Sequence, residues 1–188
     1  IFPGQGAQYP GMAEDFCARR QESRLVLDLA EQVSGLDMKK LLFDREDQRL
    51  NETAYTQIAL LTAELAIAEA VKACGVRPDM TAGLSLGEYA ALVTAGVFSM
   101  ADALRIVRKR GIFMQEAVPT GGAMAAVLGL DGAVIADICE KTPGIVSIAN
   151  DNCPGQIVIT GETAAVEAAS PARRPAYISR RLSSLRSG

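Results

Sequence analysis

Residues 80–87 read Met-Thr-Ala-Gly-Leu-Ser-Leu-Gly, and a helical pattern over residues 86–95 follows at once, closed by Gly96. The order is a short strand, residues 80–83, then the turn Gly83-Leu84-Ser85-Leu86-Gly87, then a helix. A serine on such a turn stands clear of the sheet, and the flanking glycines permit the close backbone packing that the turn needs. The amides after it, starting with that of Leu86, open a helix, where unpaired N–H groups favour developing negative charge. Ser85 therefore reads as a nucleophile, with an ordinary helix N-cap serine as the alternative. A strand feeding a helix in this way points to an α/β fold.

Upstream, residues 54–74 are apolar on nearly all sides and close at Gly75, which predicts a buried helix with a glycine just past its end. Downstream, Ser99 with Asp102 three residues later marks a helix start, and the pattern runs to about Ala117, before Pro119. On a wheel at about 100° per residue, Ala103, Val107, Arg110, Met114 and Ala117 share one stripe. Arg105, Arg108 and Lys109 fall opposite. Arg110 is thus the one cation of this helix on its apolar face. A buried guanidinium is costly unless it meets an anion, and its planar fork suits a carboxylate. It reads either as a socket for a substrate carboxylate or as half of a structural pair with an internal acid such as Glu88.

At the start, the apolar pair Ile1-Phe2 runs into Pro3-Gly4-Gln5-Gly6, the end of a strand followed by a glycine-rich loop. The Gln5 amide is a candidate second oxyanion donor beside that of Leu86. From residue 123 a second rhythm begins. Strands are expected over 123–130, 144–149 and 156–160, helices over 132–141 and 162–169, and a turn over 150–155. This β-α-β-β-α order is a ferredoxin-like split unit without its last strand, which should fall where the tail begins. Residues 171–188 hold five arginines, four serines, Pro171, Pro175 and no acid. They read as a solvated basic arm or as a non-native, frame-shifted end. The expected organisation is residues 1–118 around the nucleophile, 119–170 as the incomplete split unit, and 171–188 as the tail.

Of the 188 residues, 49% are hydrophobic and 22% charged, which excludes a disordered or collagen-like chain. A net charge of −3 and a pI near 5.1 argue against nucleic acid as partner. The most apolar stretch, residues 58–73, is interrupted by Glu64, Glu69 and Lys72, so no bilayer span is expected. Histidine is absent, which excludes an imidazole base or metal ligand from this chain. Cys17, Cys74, Cys139 and Cys153 form no CxxC pattern; four unpaired thiols in a reducing, cytoplasmic compartment are expected.

Together these stretches resemble the malonyl-CoA:acyl carrier protein transacylases, the acyltransferases of fatty acid and polyketide synthesis. The resemblance rests on FPGQGAQYPGM ending at Met12, TQIALLTAELA at 56–66, GLSLGEYAALVTAGVFS at 83–99, RGIFMQEAVPTGGAMAAVLGL at 110–130 and NDNCPGQIVITG at 150–161. It implies an α/β-hydrolase-like larger subdomain with an inserted ferredoxin-like smaller one, both incomplete here. It also implies Ser85 as the acylated nucleophile, the Gln5 and Leu86 amides as oxyanion hole, Arg110 as the malonyl carboxylate socket, and Leu84 and Met114 as pocket lining. Malonyl-CoA and acyl carrier protein are the implied partners, with no metal or bound cofactor, and a monomer is expected. Two departures stand out: Leu84 occupies the place of the family's usual histidine, and the family's catalytic histidine, beyond the smaller subdomain, has no counterpart here. The chain therefore reads as truncated and catalytically impaired. Two rivals remain: a GxSxG serine hydrolase or thioesterase, and a non-catalytic fragment or scaffold of the same fold.

Overall fold

The computed structural model describes residues 1–117 and 121–170, together with the backbone of Arg180–Arg181. The chain divides into two compact units, Ile1–Ala117 and Val118–Gly188.

The first unit is mainly helical: α1 (Glu14–Arg19), α2 (Gln21–Ser34), α3 (Met38–Phe43), a 3-10 turn at Gln48–Asn51, α4 (Thr53–Ala73), α5 (Gly87–Thr94) and α6 (Met100–Ala117). Local signals set the ends. The Asp37 carboxylate accepts from the Lys40 N–H at the start of α3, and Gly35 ends α2 in the left-handed region at φ 69°. The Ser99 hydroxyl accepts from the Asp102 N–H and donates to its carboxylate, so the expected start of α6 lies one residue before its first helical position.

Helix α4 is the axis of this unit, packed between α2 and α6. Ile58, Leu61 and Leu65 lie fully inside, against Leu27 and Met38 among others. Each such side chain contributes roughly 1.5–3 kcal/mol by leaving water. By length and composition alone α4 could cross a membrane, but 67% of its most apolar stretch is buried inside the protein. Its buried hydroxyls are tied to nearby main chain: Thr56 Oγ donates to Leu50 O at 2.6 Å and Thr62 Oγ to Ile58 O at 2.7 Å, while Gln57 bonds side chains far off in sequence. Glu64 is the exception, 7% exposed with neither carboxyl oxygen hydrogen-bonded.

The strand expected over residues 80–83 shrinks to one bridged residue. Phe2 and Gly83 form an isolated parallel bridge, with Phe2 N–H donating to Ala82 O at 2.8 Å and Leu84 N–H to Phe2 O at 3.1 Å. A parallel ladder lengthens only where neighbouring residues also face a partner, and the described residues offer Met80 and Thr81 none.

The second unit contains β1 (Gly122–Leu128), α7 (Gly132–Lys141), β2 (Val146–Cys153), β3 (Gln156–Glu162), α8 (Thr163–Ala169) and β4 (Arg180–Arg181). The sheet order is β2-β3-β1-β4 with antiparallel neighbours. Its core joins Ala125, Val127, Ile135, Ile157, Ile159 and Val166.

Two expectations change here. Residues 150–153, expected in a turn, continue β2, leaving only Pro154 and Gly155 between the strands. The polar run Asn150-Asp151-Asn152 reads as a turn by composition, but β2 is an edge strand with an exposed outer side, where polar residues are at home. The last strand, expected to be missing, is present as the pairing of Arg180–Arg181 with Ala125 and Ala126. Main-chain groups on the free edge of β1 can pair with any backbone, whatever its side chains. The rest of the expected tail, residues 171–179 and 182–188, lies outside the described residues.

Candidate active site

Everything the site needs from the first unit converges where the Phe2–Gly83 bridge holds two turns together. Gly4 and Gly87 allow that approach. A Cβ on Gly4 would lie 2.7 Å from Leu84 O, and one on Gly87 would lie 2.3 Å from Phe2 O and 2.6 Å from Pro3 O. A Cβ on Gly83 would lie 2.0 Å from the Gly87 carbonyl carbon. The atoms struck are backbone, which cannot swing aside. Gly87→Ala is therefore expected to cost about 3 kcal/mol in urea unfolding and to part the two turns. An unchanged midpoint would show that the turns are held otherwise.

Between these glycines Ser85 adopts φ 53°, the left-handed region that non-glycine residues rarely occupy. Such strain persists only where the surroundings enforce it. The N-cap of α5 is Leu86, not Ser85, and no side chain caps that helix. Ser85 is exposed, and its hydroxyl oxygen accepts from Arg110 Nη2 at 3.0 Å. Among the described residues, the N–H groups of Gln5 and Leu86 meet no acceptor. Two unengaged donors thus flank the turns that carry the serine, an arrangement able to receive a negatively charged oxygen.

Arg110 does not pair with Glu88. Among the described residues the salt bridges are Arg49–Asp47, Lys72–Glu69, Arg105–Asp102 and Lys141–Asp137, and none involves it. Instead Nη1 donates to Gln57 Oε1, and the guanidinium lies 5.8 Å from the Tyr89 ring centroid. Gln57 Nε2 donates to Gln5 Oε1 at 2.9 Å, and Gln5 Nε2 donates to Thr53 Oγ at 3.2 Å. Gln115 Oε1 then accepts from the Thr53 N–H at 3.1 Å, tying α6 to the first turn of α4. The arginine, which can only donate, fixes the direction of the Gln57 amide and through it that of Gln5, while the Thr53 N–H fixes that of Gln115.

The stripe read for α6 is correct in its first half only. Ala103, Leu104, Val107 and Gly111 are buried, whereas Met114 is 40% exposed and Ala117 is exposed. Gly111 meets the first turn of α4, its missing Cβ admitting Ala54 O and Thr53 O, so residues 114 and 117 run past the start of that helix. Leu84 is 51% exposed beside the serine. Arg108, expected to face solvent, donates to Ala54 O at 2.8 Å and stacks 5.4 Å from the Tyr55 centroid, its long stem letting it reach back. Gln57, Thr53 and Gln115 were not singled out from the sequence. A Thr56-Gln57 pair inside an otherwise apolar helix was the available signal.

Among the described residues no three His, Cys, Asp or Glu side chains cluster as a metal site. A separate open hollow of about 470 Å³ in the second unit, between Asp131, Asp151 and Cys153, contains none of the candidate site residues.

Residues 1–175 match the family model described as the acyl transferase domain. The malonyl CoA-acyl carrier protein transacylase of Bacillus subtilis is 45% identical over 174 residues, covering 90% of this chain and 55% of its own length. The Staphylococcus aureus protein of the same name is 46% identical over 171 residues, with 89% and 55% coverage. Among solved structures, the Coxiella burnetii malonyl CoA-acyl carrier protein transacylase superposes with a TM-score of 0.86 at 41% identity, covering 96% of this chain and 59% of that one. A malonyl-transacylase in complex with a type II polyketide synthase acyl-carrier protein gives 0.84 at 41% identity, with 95% and 60% coverage. The chain thus spans little more than half the length of the curated relatives it matches. Because the match runs over residues 1–175 and takes in both turns of the site and Arg110, this chain belongs to the acyl transferase domain family.

Proposed function

We propose that the first unit carries the nucleophile, the oxyanion donors and the carboxylate socket of a malonyl-group acyltransferase. The observation that carries this reading is the 3.0 Å contact between Arg110 Nη2 and Ser85 Oγ. In a malonyl thioester the carbonyl carbon and the carboxylate carbon are separated by one methylene, about 2.5 Å apart. A guanidinium touching the nucleophile suits that short span. An acetyl group leaves the cation unmatched, and a longer diacid overshoots it.

Ser85 Oγ attacks the thioester carbonyl of malonyl-CoA while the Gln5 and Leu86 amides receive the oxyanion. The carbon–sulfur bond breaks, coenzyme A leaves as the thiol with the serine proton, and malonyl remains as an ester on Ser85. The phosphopantetheine thiol of acyl carrier protein then attacks that ester, giving the new thioester and restoring the serine hydroxyl. The proton is relayed by a base that these 188 residues do not supply as imidazole, since they contain no histidine. A cytoplasmic setting accords with this reading, because Cys17, Cys74, Cys139 and Cys153 are all free thiols.

Incubation with malonyl-CoA followed by peptide mass spectrometry tests the assignment. A malonyl adduct is expected on Ser85, none on Ser85→Ala, with labelling accelerated by added imidazole. Adducts elsewhere, or equal labelling of Ser85→Ala, would sink it. A serine hydrolase would instead discharge the adduct to water as free malonate rather than to a carrier thiol.

A further inference from the structure

We propose that Gln57 is a specificity-determining positioning residue: its neutral amide aims Arg110 while leaving the guanidinium charge free for a carboxylate on the acyl group. This rests on the reading of Arg110 as the carboxylate socket and extends it to a residue that touches no substrate.

Among the described residues Arg110 meets two acceptors, Gln57 Oε1 and Ser85 Oγ, and both are uncharged. No described carboxylate neutralises it. Gln57 itself is 1% exposed on the apolar core helix α4. A buried amide of this kind is retained at a cost in desolvation unless every group is used, and here both are. The oxygen faces a pure donor, and the nitrogen faces Gln5 Oε1 at 2.9 Å. Turning the amide over would set its NH2 against the guanidinium and break both bonds, so the orientation is locked. Gln5 is oriented in turn by the Gln57 NH2, which donates to its Oε1, and its own NH2 donates to Thr53 Oγ.

The consequence is electrostatic. A carboxylate in place of the Gln57 amide would keep nearly the same shape and still accept from Nη1. It would also form a buried ion pair with Arg110 and use the charge the substrate needs. Amide and acid differ by one atom and one charge, and the amide alone orients the cation without satisfying it. The relay also passes through Gln5, whose own N–H is a proposed oxyanion donor, so the socket and the oxyanion loop are joined through one side chain.

Isothermal titration of the full chain with malonyl-CoA and with acetyl-CoA tests this. The unmodified chain is expected to prefer malonyl-CoA. Gln57→Glu is expected to lose at least tenfold of that preference, through weaker malonyl-CoA binding and with acetyl-CoA affinity within twofold. Gln57→Met, which keeps the charge of Arg110 free but leaves it loosely aimed, should retain part of the preference. A merely structural role would instead lower binding of both ligands alike in both variants. Should Gln57→Glu fail to fold, Thr53→Val, at the far end of the relay, releases the Gln5 side chain and should lower the malonyl-to-acetyl binding ratio severalfold. The proposal is overturned if a folded Gln57→Glu keeps the full preference, or if Gln57→Met and Thr53→Val leave the malonyl-to-acetyl ratio unchanged. Equal binding of both ligands by the unmodified chain would overturn the carboxylate reading of Arg110 itself, and this inference with it. That failure appears in the unmodified chain, the other only in the variants.

Discussion

Glu64→Leu is expected to stabilise the protein by roughly 4–5 kcal/mol at pH 9 and by little at pH 4. Glu64 sits in the middle of α4, 7% exposed, with no partner for either oxygen. Burial pushes its carboxyl from the ordinary 4.5 up to about 8. Each unit of such a shift corresponds to about 1.4 kcal/mol between the two protonation states. Below pH 4.5 both folded and unfolded chains hold the neutral acid, and the group is silent. Between 4.5 and 8 the unfolded chain ionises first, so stability falls steadily with pH. Above 8 the folded chain also ionises, and the whole penalty is in place. Leucine cannot ionise and suits the apolar surroundings. Glu64→Gln should likewise flatten the pH dependence but keep an unsatisfied polar group, and so gain less. Urea titrations at pH 5, 7 and 9 decide the matter. Parallel curves for Glu64→Leu and the unmodified chain would mean that the carboxyl reaches water or a partner.

Arg110→Ala is expected to cost roughly 3–5 kcal/mol of malonyl-CoA recognition, more than a hundredfold, and almost nothing for acetyl-CoA. The asymmetry follows from the surroundings of the guanidinium. No carboxylate of the described chain pairs with it, so its removal leaves no stranded anion behind. What it leaves is Gln57 Oε1 without a donor in the free and the loaded protein alike, a loss that falls on stability and not on recognition of either ligand. Arg110→Lys should recover only part of the malonyl effect, because an ammonium cannot hold Gln57, Ser85 and a bidentate carboxylate in one plane. Rates of Ser85 labelling by the two thioesters measure this directly. Equal losses for both would make Arg110 a structural residue.

The parts of the site that were legible in the sequence are those coded locally. Gly83-Leu84-Ser85-Leu86-Gly87 carries its turn in its own glycines, and Ser99 with Asp102 carries the start of α6. Arg110 stood out because a helix has a fixed period, so one cation on the wrong side is visible. The relay through Gln57, Gln5 and Thr53 was not legible, since it joins residues 48 to 52 positions apart. No local pattern records which polar side chain of α4 faces a loop at the start of the chain. The reading of β2 failed for a related reason. Asn150-Asp151-Asn152 has the composition of a turn, and only its place at the sheet edge makes it a strand. Residues 13–52 offered no sharp motif, although α2 and α3 supply Leu27 and Met38 to the core. Their amphipathic faces acquire meaning only once α4 is there to cover.

The bridge between Phe2 and Gly83 has a kinetic side. Its two halves lie 81 residues apart in the chain, with α1 to α4 between them. Closing so long a loop carries an entropic cost that is offset only when the intervening helices are already docked. The helical core can therefore form while the serine still lacks its oxyanion partner. In a refolding experiment, helical circular dichroism should recover ahead of the ability of Ser85 to be acylated. Reactivity should then be the last property this unit acquires on refolding.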